Sequence, residues 1–151
     1  MPAPRLDEQL CFALHLASRA VTAAYRPLLD ELHLTYPQYL ALLVLWEDGP
    51  CTVGHLGSRL HLDSGTLSPL LKRLEAIGYV RRERSATDER RVQVTLTAAG
   101  HALEERAACL PERLVGNGDV AAEDLAALRD AVRFLAESLY AGNPTTPATD
   151  E

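Results

Sequence analysis

Apolar positions recur at helical spacing along most of the chain, and the spacing drops to two over one short stretch only. Leu6, Leu10, Ala13, Leu14, Ala17, Val21, Ala24 and Leu28 mark a long amphipathic first helix over residues 6–32, which Pro27 should kink or divide. Thr35-Tyr36-Pro37-Gln38 has the form of a capping box, and the helix it starts runs through Trp46 to a stop at Gly49-Pro50. A shorter helix, Thr52 to Leu60, is followed by a tight break at His61-Leu62. Asp63 then caps a helix whose buried face is Leu67, Leu70, Leu71 and Leu74, spaced i, i+3, i+4, i+7. Tyr79–Arg84 reads as a strand, and Val92-Gln93-Val94-Thr95-Leu96 alternates with period two. Helical spacing returns from Thr97 to about Val115, with Pro111 disturbing the end. Gly116-Asn117-Gly118-Asp119 breaks the chain, and Ala122 to Tyr140 forms the last helix. Residues 142–151 are polar and proline-rich, as in a frayed tail.

This order predicts a mainly α protein with a small β-hairpin. Two short helices joined by a tight turn, with a hairpin directly after them, make a winged helix-turn-helix over about residues 50–97. At 151 residues the chain supports one core, so residues 1–151 form a single domain. The flanking helices, about 6–32 and 98–141, lie outside that unit. Their apolar faces would stay wet in a lone winged helix, so their expected use is dimerisation.

Charge sharpens the expectation for the central unit. Residues 54–91 hold eight cations (Arg59, Lys72, Arg73, Arg81, Arg82, Arg84, Arg90, Arg91) against five carboxylates, a net +3 in a chain of net −6. An acidic protein with one basic module concentrates its attraction for nucleic acid there. Ser64, Gly65, Thr66, Ser68, Lys72 and Arg73 project from the polar face of the helix after Asp63, as major-groove contacts would. Arg82, Arg84, Asp88, Arg90 and Arg91 belong to the hairpin that would reach phosphates or the minor groove. Asp88 is expected to orient the Arg90 guanidinium. A dimer would present two such helices about one turn of double-stranded DNA apart, matched to a pseudo-palindromic operator.

Other classes are disfavoured. No apolar run approaches the ~18 residues of a membrane span, and the N-terminus lacks an apolar segment behind a basic start, so no membrane partner and a cytoplasmic location are expected. Three widely spaced cysteines argue for reduced thiols rather than a disulfide scaffold. Cys11, Cys51 and Cys109 lack metal-ligand spacing, so neither a metal nor a cofactor is expected.

Asp88-Glu89-Arg90-Arg91 followed by Val92-Gln93-Val94-Thr95-Leu96-Thr97 resembles the wing signature and closing Leu-Thr of MarR-type transcriptional regulators. The stretch from Leu62 to Glu75 is similar to one branch, the organic-hydroperoxide-sensing repressors (OhrR type). The resemblance covers residues 6–140. It implies a DNA-binding repressor, a homodimer that is not an enzyme and that leaves its operator when a cysteine is oxidised.

On the residues alone, Cys11 is most simply a small packing residue. Its place near a helix start could favour a thiolate, and tyrosine hydroxyls could hydrogen-bond one. The resemblance implies more. The Cys-Phe-Ala-Leu context of Cys11 is that of the branch's peroxidatic cysteine, and Tyr25 and Tyr36 match two tyrosines that bond it across the dimer interface. His15 stands where the branch commonly has a third tyrosine. Cys109 is a candidate resolving thiol, with a low-molecular-weight thiol as its competitor, and Cys51 reads as packing. Two other readings stay open: a regulator released by a small apolar acid or phenol with Cys11 structural, and a thiol peroxidase. The basic winged helix speaks against the peroxidase.

Overall fold

A computed structural model describes residues 3–116 and 120–142. The frayed tail expected beyond residue 142 and most of the break at 116–119 lie outside the described residues. Helix α1 spans Leu10–Asp30, preceded by a 3-10 turn at Leu6–Glu8. The expected 6–32 helix is therefore interrupted at Gln9, which is extended, rather than at Pro27. Leu6 and Leu10 are both 60% exposed, so nothing in the subunit holds the first turn in register with the rest. Pro27 neither divides nor ends α1. Pro27 and Ala23, whose carbonyl loses its donor, are both exposed positions, so the lost hydrogen bond costs little there. The helix closes in a Schellman arrangement, with Leu34 N donating to Leu29 O (3.0 Å) and His33 left-handed at φ 58.

Helix α2, Tyr36–Asp48, starts as expected. Thr35 Oγ1 accepts from Gln38 N (3.4 Å) and Gln38 Oε1 accepts from Thr35 N (2.9 Å). It is the central element, with Ala41, Leu42 and Leu45 at most 1% exposed. Helix α3, Val53–Leu60, is capped by Thr52, and α4, Ser64–Ile77, by Asp63, whose Oδ1 accepts from Thr66 N at 2.7 Å. Between them His61 adopts a left-handed conformation (φ 53) and Leu62 N returns to Gly57 O (3.0 Å), which makes the tight break. Leu56, Leu67, Leu71 and Leu74 are fully buried, and Leu70 is half-buried.

The hairpin pairs β2 (Val80–Arg84) with β3 (Val92–Leu96), antiparallel, with Arg82 opposite Val94. A further strand, β1 (Cys51–Thr52), adds to the other side of β3, giving the order β1-β3-β2. Sequence patterning does not reveal β1, because two residues carry no period. Helix α5, Ala98–Ala107, and α6, Leu110–Val115, replace the single helix expected over 97–115. Pro111 cannot donate to Ala107, so the chain breaks before it and Pro111 falls in the first turn of α6, where no donor is needed. Helix α7, Ala122–Ala141, buries no residue. Among the described residues no helix is long and apolar enough to cross a membrane.

Candidate DNA interface and thiol site

The buried leucines of α4 turn its other face outward, so Ser64, Gly65, Thr66, Ser68, Lys72 and Arg73 are all exposed on one accessible surface. The bond from Thr66 N holds the Asp63 carboxyl below its ordinary range, so it stays a charged cap at neutral pH. Arg84, Arg90 and Arg91 are exposed on the hairpin, on the same module as that surface.

Two wing residues behave differently from the sequence expectation. Arg82 Nε donates to Glu75 Oε2 at 2.6 Å, both side chains being partly buried, so this arginine ties the wing to the end of α4 instead of standing free. Asp88 does not hold the Arg90 guanidinium. Its Oδ1 accepts from the Arg90 backbone N (3.0 Å), its carbonyl accepts from Arg91 N (3.0 Å), and its Oδ2 lies 3.9 Å from Arg91 Nε. The carboxylate thus shapes the turn, because a short aspartate reaches the amide two residues on more readily than a flexible guanidinium. Arg59 joins Asp48 (2.9 Å) and Glu47 (2.7 Å), and His55 Nε2 meets the same Asp48 oxygen at 2.7 Å, clamping α3 to the end of α2. These partners, with the His55 hydrogen bond foremost, hold Asp48 below the usual carboxylate range.

Cys11 is exposed in the first turn of α1, and His15 is exposed one turn later on the same side. Tyr25 is buried, and its ring lies 5.2 Å from that of Tyr36. Tyr39 completes a triangle at 5.9 Å from Tyr25 and 6.3 Å from Tyr36. The sequence points to two of these rings but not to Tyr39, although its i+3 spacing from Tyr36 on α2 is the signal for it. Burial, followed by the neighbouring hydroxyls, pushes Tyr39 up to about 12 and raises Tyr25 as well. At neutral pH Tyr25 and Tyr39 therefore keep their protons and can donate.

The structure does not bring Cys11 to the tyrosines within one subunit. The fourteen residues from Cys11 to Tyr25 along α1 span ~21 Å at 1.5 Å per residue. Cys51 is buried, and burial followed by the Asp48 charge pushes its thiol up, consistent with packing. Cys109 is exposed at the α5–α6 break and its Sγ contacts Arg106 O at 3.5 Å.

Residues 23–106 match the family model described as transcriptional regulator SarA/Rot. The chain is 48% identical over 139 residues to the organic hydroperoxide resistance transcriptional regulator of Bacillus subtilis (strain 168), covering 92% of this chain and 95% of that one. The chain belongs to this family of MarR-type winged-helix transcriptional regulators. Reduced AbfR of Staphylococcus epidermidis bound to DNA superimposes on the regulator with a TM-score of 0.79 at 36% identity, covering 90% of this chain and 93% of that one. Disulfide-formed AbfR superimposes with a TM-score of 0.64 at 37% identity, over 87% and 93% of the two chains. The regulator is accordingly a DNA-binding protein and not an enzyme, and the basic face of α4 and the wing belongs to its winged helix.

Proposed function

We propose that this regulator is a homodimeric repressor that binds a pseudo-palindromic operator when reduced and releases it when Cys11 is oxidised by an organic hydroperoxide. One observation carries the reading. An exposed cysteine and a tyrosine cluster of the same subunit are ~21 Å apart, while the helices that bear the apolar surface needed for pairing, α1 and α7, are left wet. A partner subunit laid antiparallel along α1 would bring its own Cys11 to Tyr25 and Tyr36, with His15 beside it.

In this reading the tyrosine hydroxyls donate to the Cys11 thiolate and hold the dimer in its binding arrangement. The thiolate attacks the terminal peroxide oxygen. The S–O bond forms as the O–O bond breaks, the sulfur keeps the OH as a sulfenic acid, and the alkoxide leaves and takes a proton from water to become the alcohol. A second thiol, Cys109 or a low-molecular-weight thiol, condenses with it to a disulfide and releases water. Half-buried Phe12 and Leu14 beside Cys11 suit an organic peroxide better than hydrogen peroxide. Loss of the thiolate–phenol bonds shifts α1 and with it the spacing of the two α4 helices. A differential of ~3 kcal/mol between states lowers operator affinity more than about a hundredfold. Ser64, Gly65, Thr66 and Ser68 are the base-edge and phosphate contacts, and Lys72, Arg73, Arg84, Arg90 and Arg91 supply cations to phosphate or the minor groove. A reducing cytoplasm keeps the resting thiol reduced.

The test is operator binding with and without cumene hydroperoxide, on wild type and Cys11→Ser. Wild type is expected to release DNA on oxidation, and the serine variant to bind and ignore the peroxide. Equal release by the serine variant would remove Cys11 from the mechanism.

A further inference from the structure

Tyr79 stands in the short joint between α4 and β2, where the recognition helix meets the wing. Three of its groups are tied to three different elements. Its N–H donates to Leu74 O at 3.0 Å, next to left-handed Gly78 (φ 95), and so closes α4. Its carbonyl accepts from Thr97 N at 3.0 Å, where β3 gives way to α5. Its hydroxyl donates to Leu32 O, 47 residues away in the chain, at 3.0 Å. Leu32 is buried in the turn that ends α1 and is fixed there by its own N–H to Leu29 O at 3.0 Å. Among the described residues, this is the one side-chain hydrogen bond from the end of α1 to the winged helix.

A second route reaches the same residue. Tyr39, a member of the tyrosine cluster, packs edge to face on Trp46 with ring centres 6.4 Å apart. Trp46 Nε1 donates to Gly100 O at 3.0 Å, and Gly100 packs on the Tyr79 carbonyl with no room for a Cβ. The cluster that includes Tyr25 of α1 is thus joined to the α4–β2 joint through close-packed contacts, which transmit displacement instead of absorbing it. Tyr79 itself is half-buried and is none of the residues assigned to DNA.

We propose that Tyr79 is a positioning residue whose hydroxyl couples the end of α1 to the joint that aims α4 and the wing, so that a shift of α1 changes the fit to DNA. The proposal rests on the redox reading for its trigger only. The coupling is reciprocal, so operator binding must also act back on the end of α1.

Tyr79→Phe keeps the ring and removes the hydroxyl, so it tests the bond and not the packing. The probe is an operator duplex selected from a random pool by the reduced wild-type protein. In the first arm, its affinity is measured with and without cumene hydroperoxide. Wild type is expected to lose about a hundredfold on oxidation, and Tyr79→Phe at least about fivefold less, with its reduced-state affinity within about threefold of wild type. A merely structural role would lower both affinities together, and an unchanged ratio would overturn the proposal. In the second arm, amide hydrogen exchange is followed by NMR on the reduced protein, free and operator-bound. Binding should slow the Leu32 and Leu34 amides at least about threefold in wild type and leave them unchanged in Tyr79→Phe. Equal slowing in both proteins, or none in wild type, would overturn the proposal. A wild type that keeps its operator under peroxide would sink the redox reading, and the exchange arm alone would then decide on Tyr79.

Discussion

Asp88 acts on the wing through the backbone, and this changes what its replacement should do. Asparagine keeps the oxygen that accepts from Arg90 N, so Asp88→Asn should hold the turn and leave operator affinity within about twofold of wild type, slightly tighter for the lost negative charge. Asp88→Ala loses the acceptor and should weaken binding several-fold. Arg91→Ala should lower the slope of log affinity against log salt by about one. Fluorescence anisotropy across a salt series separates the three, and marked weakening by Asp88→Asn would show that the carboxylate's charge, not its hydrogen bond, orders the wing. The cysteines make a second prediction at this scale. The buried Cys51 thiol is raised, so its reactive thiolate forms only above the usual thiol range. Iodoacetamide at pH 8 should label Cys11 and Cys109 and spare Cys51, with Cys51 labelling rising as pH climbs further. Mass spectrometry of the digested protein reads this out, and rapid Cys51 alkylation at pH 8 would contradict its burial.

At the scale of elements, the joint between α3 and α4 decides how the recognition helix is aimed. Gly57 lies where the chain doubles back, and a Cβ there would meet Leu62 O at 2.7 Å and Leu67 Cδ1 at 3.3 Å. The first neighbour is backbone and cannot swing aside. Gly57→Ala should therefore prise the joint open and destabilise the fold by ~1–3 kcal/mol, despite alanine's better helix propensity. Urea unfolding measures it, and a variant as stable as wild type would mean that the joint yields. The Arg82–Glu75 pair works at the same scale, since it fixes the wing against the end of α4.

For the whole molecule, the deciding feature is what the subunit leaves wet. Phe134 is 72% exposed on α7, with Leu128 and Leu139 exposed on the same helix, and Leu10, Leu16 and Val21 are exposed on α1. Burying one such side chain contributes roughly 1.5–3 kcal/mol, so a paired α1–α7 surface can hold a dimer. Phe134→Asp should shift sedimentation equilibrium towards monomer and weaken operator binding with it, since each subunit then reads its half-site alone. A variant that stays dimeric would place the interface elsewhere.

Sequence by itself determined the helix caps and the buried stripe that rest on short, regular spacing. The Thr35–Gln38 capping box, the Asp63 cap and the leucine stripe of α4 depend on contacts three to seven positions apart, so the pattern shows them directly. The winged helix-turn-helix order and the basic module follow from those elements. Tertiary structure alone decided the rest, because the partners are remote in the chain or their competition is invisible in it. Strand β1 exists only by pairing with β3 some forty residues later. Tyr39 joins the tyrosine cluster only when α2 packs on α1. Arg82 reads as a free cation until the fold sets Glu75 beside it, and Pro27 reads as a breaker until the fold leaves it at an exposed position near the end of α1.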